Sequence, residues 1–145
     1  YQVALLHDIG KIAVPDEIIN KPGKLTEDEY LIIKEHTKRG YDILQTIEEL
    51  PDLRLGALYH HECWDGSGYP LGIAETDIPE VARIISVADA YDAMTSRRSY
   101  RPAMDQKSAR AEIANGIGTQ FFPAAAQAML DIIDSDMEYE FRQHE

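Results

Sequence analysis

Apolar residues recur at three- and four-residue intervals along nearly the whole chain, and no segment alternates with the period of two that marks a half-buried strand. The pattern predicts an all-α fold, a compact helical bundle. A first helix runs from Tyr1 to about Ile12, carried by Val3, Ala4, Leu5, Leu6 and Ile9. Pro15 ends it, and Asp16–Asn20 reads as a short helical turn before the loop Lys21-Pro22-Gly23-Lys24. Thr26 followed by Glu29 is a capping-box pattern that opens a helix through His36. After Gly40 the face Tyr41, Leu44, Ile47 predicts a separate helix. Pro51-Asp52 starts the helix carrying His60 and His61, and a Gly- and Pro-rich loop runs from Cys63 to Ile78. Pro79 opens the best-patterned helix, through about Thr95. A basic irregular turn, Ser96 to Met104, leads to a helix over Asp105–Asn115, which Gly116 and Gly118 break. Pro123 begins a last, Ala-rich helix to about Ile133. Residues 1–134 make one domain, and the acidic residues 135–145 a tail.

Polar residues interrupt this pattern where apolar ones are expected. His7 and Asp8 sit inside the opening apolar run, with Lys11 one turn further on. Taken alone, the pair reads as a core histidine and a cap carboxylate ahead of Gly10. The chain has five histidines, however, and His7, His36, His60 and His61 all fall on apolar helix faces, leaving only His144 in the polar tail. Asp89 and Asp92 lie on the buried face of the Pro79 helix, so one or both are drawn inward. Buried imidazoles and carboxylates need a partner or a cation. The set His7, Asp8, His36, His60, His61 and Asp89 is too large for one tetrahedral zinc. It fits two metals sharing Asp8, and donors without thiolate suit Fe, Mn, Zn or Ni rather than Mg or Ca. Two metals about 3.5–4 Å apart activate water and clamp the attacking and leaving oxygens of a phosphoryl transfer. Lys11 would then face the phosphate or protonate the leaving alkoxide.

Composition narrows the function. The chain of 145 residues carries a formal net charge of −12, which excludes a duplex nucleic-acid binder and repels an anionic substrate at long range. Attraction to phosphate must then be local. The lone Cys63 allows no internal disulfide and points to a reducing, cytoplasmic compartment. No apolar run has membrane length, and the opening at Tyr1, already inside a helical pattern, reads as a fragment of a longer protein.

These residues resemble a known family. His7-Asp8-Ile9-Gly10-Lys11 is similar to the HD-superfamily signature. His60-His61-Glu62 followed by Trp64-Asp65-Gly66-Ser67-Gly68-Tyr69-Pro70 resembles the HD-GYP subfamily, as does Asp89-Ala90-Tyr91-Asp92-Ala93-Met94-Thr95 followed by Arg98, Tyr100 and Arg101. The resemblance implies a bacterial cyclic di-GMP phosphodiesterase in second-messenger signalling, giving a linear dinucleotide and, where a second hydrolysis follows, GMP. It implies a helical bundle of the HD-domain type with two or three divalent ions, iron or manganese. The metal ligands carry over to His7, Asp8, His36, His60, His61 and Asp89, and the catalytic roles to Lys11 and Asp8. The substrate contacts carry over to Arg98, Arg101, Gly68, Tyr69 and Pro70. Tyr69 either stacks on a guanine or docks a signalling protein. The family also implies an N-terminal receiver or sensor domain and a further ligand on an upstream helix. Cys63, Ser99, Pro102 and Phe122 depart from the family pattern, and Phe122 removes the side-chain cap of the last helix. Two rivals stand beside hydrolysis of the cyclic dinucleotide. One is a catalytically degenerate module acting through partners at Gly68-Tyr69-Pro70. The other is a phosphohydrolase acting on a nucleotide monomer, which the Gly66–Pro70 loop opposes.

Overall fold

The opening apolar run does form a helix, α1 (Gln2–Leu6), but it stops sooner than its pattern predicts. In the computed structural model, which describes residues 1–96 and 103–136, the backbone turns at His7-Asp8 and resumes as a 3-10 helix over Ile9–Ala13. The cause is tertiary. Gly10 is pressed so closely on the next long helix that a Cβ there would lie 1.9 Å from the His36 carbonyl oxygen. The turn at His7-Asp8 redirects the chain onto that contact.

After the short α2 (Asp16–Ile19), the helix α3 (Glu27–Leu44) opens with the expected capping box. Thr26 Oγ1 accepts from the Glu29 N–H at 3.2 Å, and the Glu29 carboxylate accepts from the Thr26 N–H at 2.7 Å. Contrary to expectation, α3 does not break near Gly40. It runs unbroken to Leu44, so the two helices predicted there are one. Gly40 is used for approach: a Cβ on it would lie 3.1 Å from Ala57 Cβ and 3.5 Å from Gly10 N. The closeness of three segments offsets the roughly 1 kcal/mol that glycine costs inside a helix.

Helix α4 (Pro51–Tyr59) starts at proline as predicted but ends before the histidines. His60 is its C-terminal cap residue and His61 lies beyond it. The loop that follows contains a 3-10 turn at Glu75–Asp77. Then come α5 (Glu80–Thr95), α6 (Gln106–Asn115) and α7 (Pro123–Ser135). Asp105 caps α6 by accepting from the Ser108 N–H at 2.9 Å. Phe122 makes no side-chain cap to α7. Its ring lies 4.9 Å from Trp64, with the Arg83 guanidinium 4.6 Å from its centroid.

Among the described residues there is no strand, only an isolated bridge between Ile117 and Phe121. The core has two main centres. Leu44, Leu53 and Ala57 pack with Val3, Leu6 and Ile9, while Val87, Ile113, Phe121, Ala126 and Leu130 fill the space between α5, α6 and α7. Helix α5 serves both, because Ile85 reaches toward Gly56 on α4 and Val87 faces α6 and α7. The ends of α1 and α4 and the middle of α3 and α5 therefore converge. Residues 97–102, with Arg98 and Arg101, and residues 137–145 of the expected tail lie outside the described residues.

Candidate metal centre

Three imidazoles are oriented by their own backbone. His7 Nδ1 lies 2.6 Å from the Ala4 carbonyl, His36 Nδ1 2.5 Å from that of Ile33, and His60 Nδ1 3.0 Å from those of Gly56 and Ala57. A carbonyl can only accept, so each ring donates from Nδ1 and leaves Nε2 with a free lone pair. Helical geometry supplies these partners three or four residues back. All three Nε2 atoms point into one pocket.

There they meet no proton donor that satisfies them. His36 Nε2 and His60 Nε2 face each other at 3.3 Å, lone pair against lone pair, in a fully buried position. His7 Nε2 and Asp8 Oδ1 are buried without a hydrogen bond. Asp8 lies at the middle: Oδ1 is 3.4 Å from His36 Nε2 and 3.7 Å from His60 Nε2, while Oδ2 is 3.4 Å from His7 Nε2. His7 Nε2 is also 3.6 Å from Asp89 Oδ1. Lys11 Nζ donates to Asp8 Oδ2 at 2.5 Å. The donors form two groups: Asp8, His36, His60 and His61, and His7, Asp8 and Asp89. Within each group the ligand atoms lie within 4.8 Å of one another, and Asp8 belongs to both. Orphaned buried polar atoms cost about 1–3 kcal/mol each. A divalent cation at each group would satisfy them, so the residues fit such ions.

The protonation pattern agrees. Burial pushes the His36 imidazolium pKa down, and burial with His60 and His36 nearby pushes His61 down to about 3. Both imidazoles are therefore neutral at neutral pH and able to donate a lone pair. Burial raises the Asp8 carboxyl, but His60, His7 and Lys11 beside it hold it well below the usual carboxylate range. Burial lowers His7, but the carboxylates of Asp8 and Asp89 outweigh it and push His7 up to about 10.

Of the two aspartates on α5, Asp89 turns into the pocket, while Asp92 is exposed and accepts from Ser96 Oγ at 3.0 Å. The Gly68-Tyr69-Pro70 segment lies beside the pocket, with the Tyr69–Pro70 peptide cis. The Tyr69 ring stacks on His61 at 4.7 Å and 24°, and Lys34 Nζ sits 4.5 Å from the Tyr30 centroid and 5.0 Å from that of Tyr69. A cleft of about 720 Å³ opens here between α3 and the loop, lined by Leu31, Ile32, Lys34, Tyr69 and Pro70 among others. Sequence reasoning singled out neither Lys34 nor Glu62 for a role of its own. The only available signal for Glu62 was an acid directly after two candidate ligands.

The HD domain family model matches residues 2–124. The chain is 47% identical over 132 residues to the cyclic di-GMP phosphodiesterase of Thermotoga maritima, covering 89% of this chain and 36% of that protein. It is 43% identical over 138 residues to a probable cyclic di-GMP phosphodiesterase of Vibrio cholerae serotype O1, covering 90% of this chain and 31% of that one. A 3'3'-cGAMP-specific phosphodiesterase of the same organism is 38% identical over 128 residues, covering 87% of this chain and 24% of its own length. The chain thus spans about a third or less of these curated relatives. The family model matched over residues 2–124 and the identity to these relatives lead to one conclusion: the chain belongs to the HD domain family.

Proposed function

We propose that this chain is a catalytic domain of the HD-GYP type that hydrolyses cyclic di-GMP to a linear dinucleotide, GMP being the product only of a second hydrolysis. The observation that carries the reading is the convergence of His7, Asp8, His36, His60, His61 and Asp89 as two donor groups sharing Asp8. Two divalent ions bound there, iron or manganese on the family resemblance, would activate water and neutralise phosphate charge. The relatives' names support the substrate class.

In this reading water adds at phosphorus, the bond to the 3′ oxygen breaks, and that oxygen takes up a proton. Lys11, on the Asp8 carboxylate and 42% exposed, is placed to supply the proton or hold the phosphate. Arg98 and Arg101 hold phosphate oxygens by charge-assisted bonds, local attraction that a chain of net charge −12 needs. That assignment rests on their motif. Tyr69, with Gly68 and Pro70, forms the wall against which a guanine stacks, supported by its place on the cleft beside His61. The greater length of the relatives supports an N-terminal receiver or sensor domain in the intact protein. No helix among the described residues is long and apolar enough to cross a membrane.

The test is hydrolysis of cyclic di-GMP by the intact protein loaded with iron or manganese. Asp8→Ala should keep the helical content and lose turnover by at least about 100-fold, since even residues that only orient a metal's ligands matter by 10–100-fold. Wild-type turnover by that variant would overturn the reading. Binding without cleavage by the wild-type protein would favour a degenerate module acting through the Tyr69 loop.

A further inference from the structure

We infer that Glu62 is a positioning residue whose buried carboxylate holds the Gly68–Gly72 loop shut and so keeps Tyr69 flat against His61, shaping the substrate wall of the cleft. Its bearing on substrate rests on the phosphodiesterase reading. Glu62 is 2% exposed, next in sequence to His61, yet belongs to neither donor group. A carboxylate so buried must be bonded. Its Oε1 accepts from the Leu71 N–H at 2.7 Å and the Gly72 N–H at 3.2 Å, and its Oε2 from the Gly72 N–H at 3.0 Å.

The loop's other edge is pinned to the same short segment. The Tyr69 N–H donates to the His61 carbonyl at 3.2 Å. Gly68 lies so close that a Cβ would be 2.3 Å from Cys63 N and 2.4 Å from the His61 carbonyl oxygen. Gly72 completes the closure with φ +68°, a conformation glycine adopts without strain. Tyr69-Pro70 is therefore held between two anchors on residues 61–63. One anchor is main chain and cannot be removed by substitution. The other is the Glu62 side chain. Losing it frees the Leu71–Gly72 end and lets the Tyr69 ring leave His61, while all six candidate ligands stay untouched.

The experiment combines kinetics, metal content and amide exchange on the intact protein. In Glu62→Ala the KM for cyclic di-GMP should rise about tenfold, roughly what one charge-assisted hydrogen bond contributes, with kcat changed less than about threefold and metal content unchanged. The Leu71 and Gly72 amides should exchange faster. Glu62→Gln, which keeps an oxygen able to accept from both amides, should recover most of the KM. Because Glu62 acts through Tyr69, Glu62→Ala with Tyr69→Ala should be no worse than Tyr69→Ala alone. A wild-type KM in Glu62→Ala, wild-type exchange at Leu71 and Gly72, or additive defects in the double variant would each overturn the assignment. If Glu62→Ala does not fold, Glu62→Asp decides: its carboxylate is one methylene short of the Leu71 and Gly72 amides, so faster exchange at those amides supports the assignment, and wild-type exchange overturns it. A wild-type protein that binds metal but leaves cyclic di-GMP intact fails the phosphodiesterase reading alone, because the exchange measurement still decides the role of Glu62.

Discussion

At the scale of single residues, the decisive arrangement is the one around His60. Its Nδ1 is committed to carbonyls of its own helix, so its Nε2 faces His36 Nε2 at 3.3 Å with nothing to donate. A cation between the two rings would be shared by both Nε2 atoms. His60→Ala should therefore lower the bound metal per chain, read by elemental analysis, while far-UV circular dichroism stays that of a helical bundle. Full metal content in that variant would remove His60 from the ligand set. Five of the six donors were legible in the sequence because each is a polar residue in a stretch that otherwise reads apolar. The choice between Asp89 and Asp92 was not legible. Residues three apart on a helix differ by only about 60° in direction, and the packing of α5 against α4, not periodicity, turns Asp89 toward His7. Glu62 escaped notice because its partners lie nine and ten residues on, in a loop whose closure no local pattern announces.

Elements were misjudged at two glycines, in opposite senses: the helix expected to run through Gly10 stops before it, and the break expected at Gly40 is absent. Gly10 and Gly40 look alike in sequence, yet their surroundings give opposite expectations for substitution. A Cβ at Gly10 would meet backbone, 1.9 Å from the His36 oxygen and 2.5 Å from Gly40 N, and backbone cannot step aside. Gly10→Ala should cost about 3 kcal/mol or more by urea denaturation. At Gly40 the nearest atom is a side-chain methyl at 3.1 Å, and alanine regains about 1 kcal/mol of helix propensity. Gly40→Ala should therefore stay within about 1 kcal/mol of wild type. The start of α3, by contrast, was fully legible, since Thr26 and Glu29 satisfy each other within one turn. Lys21 and the Thr26 N–H beside Glu29 hold its carboxyl below the ordinary glutamate value. A depressed folded-state pKa gives stability that is present above the unfolded value, about 4.3, and lost as pH falls through the folded one. Amide protection in the first turn of α3 should weaken over that window, and Glu29→Gln should flatten the dependence.

Across the whole molecule, the metal pocket is where separately packed parts meet. Leu44, Leu53 and Ala57 centre one apolar cluster and Val87, Ile113 and Phe121 another, and the donors come from both sides: His7, Asp8, His36 and His60 with the first, Asp89 on α5 with the second. Ions bound here would tie α1, α3, α4 and α5 together in a way the apolar clusters alone do not. A ligand that binds only the folded state stabilises it by about 2.7 kcal/mol at 100 times its dissociation constant. For a chain of this size that is a rise of roughly 5–10 °C in Tm. Adding manganese to chelator-treated protein should produce such a rise, and renewed chelation should reverse it. The two donor groups make the expectation sharper. Asp8 belongs to both, so Asp8→Ala should abolish the rise. Asp89 belongs to one, so Asp89→Ala should leave about half of it. If Asp8→Ala and Asp89→Ala lost the same fraction, the pocket would hold a single ion, and a shared carboxylate between two would be the wrong description. If neither lost any, the stabilising ions would bind elsewhere, on the acidic surface that a net charge of −12 supplies in abundance.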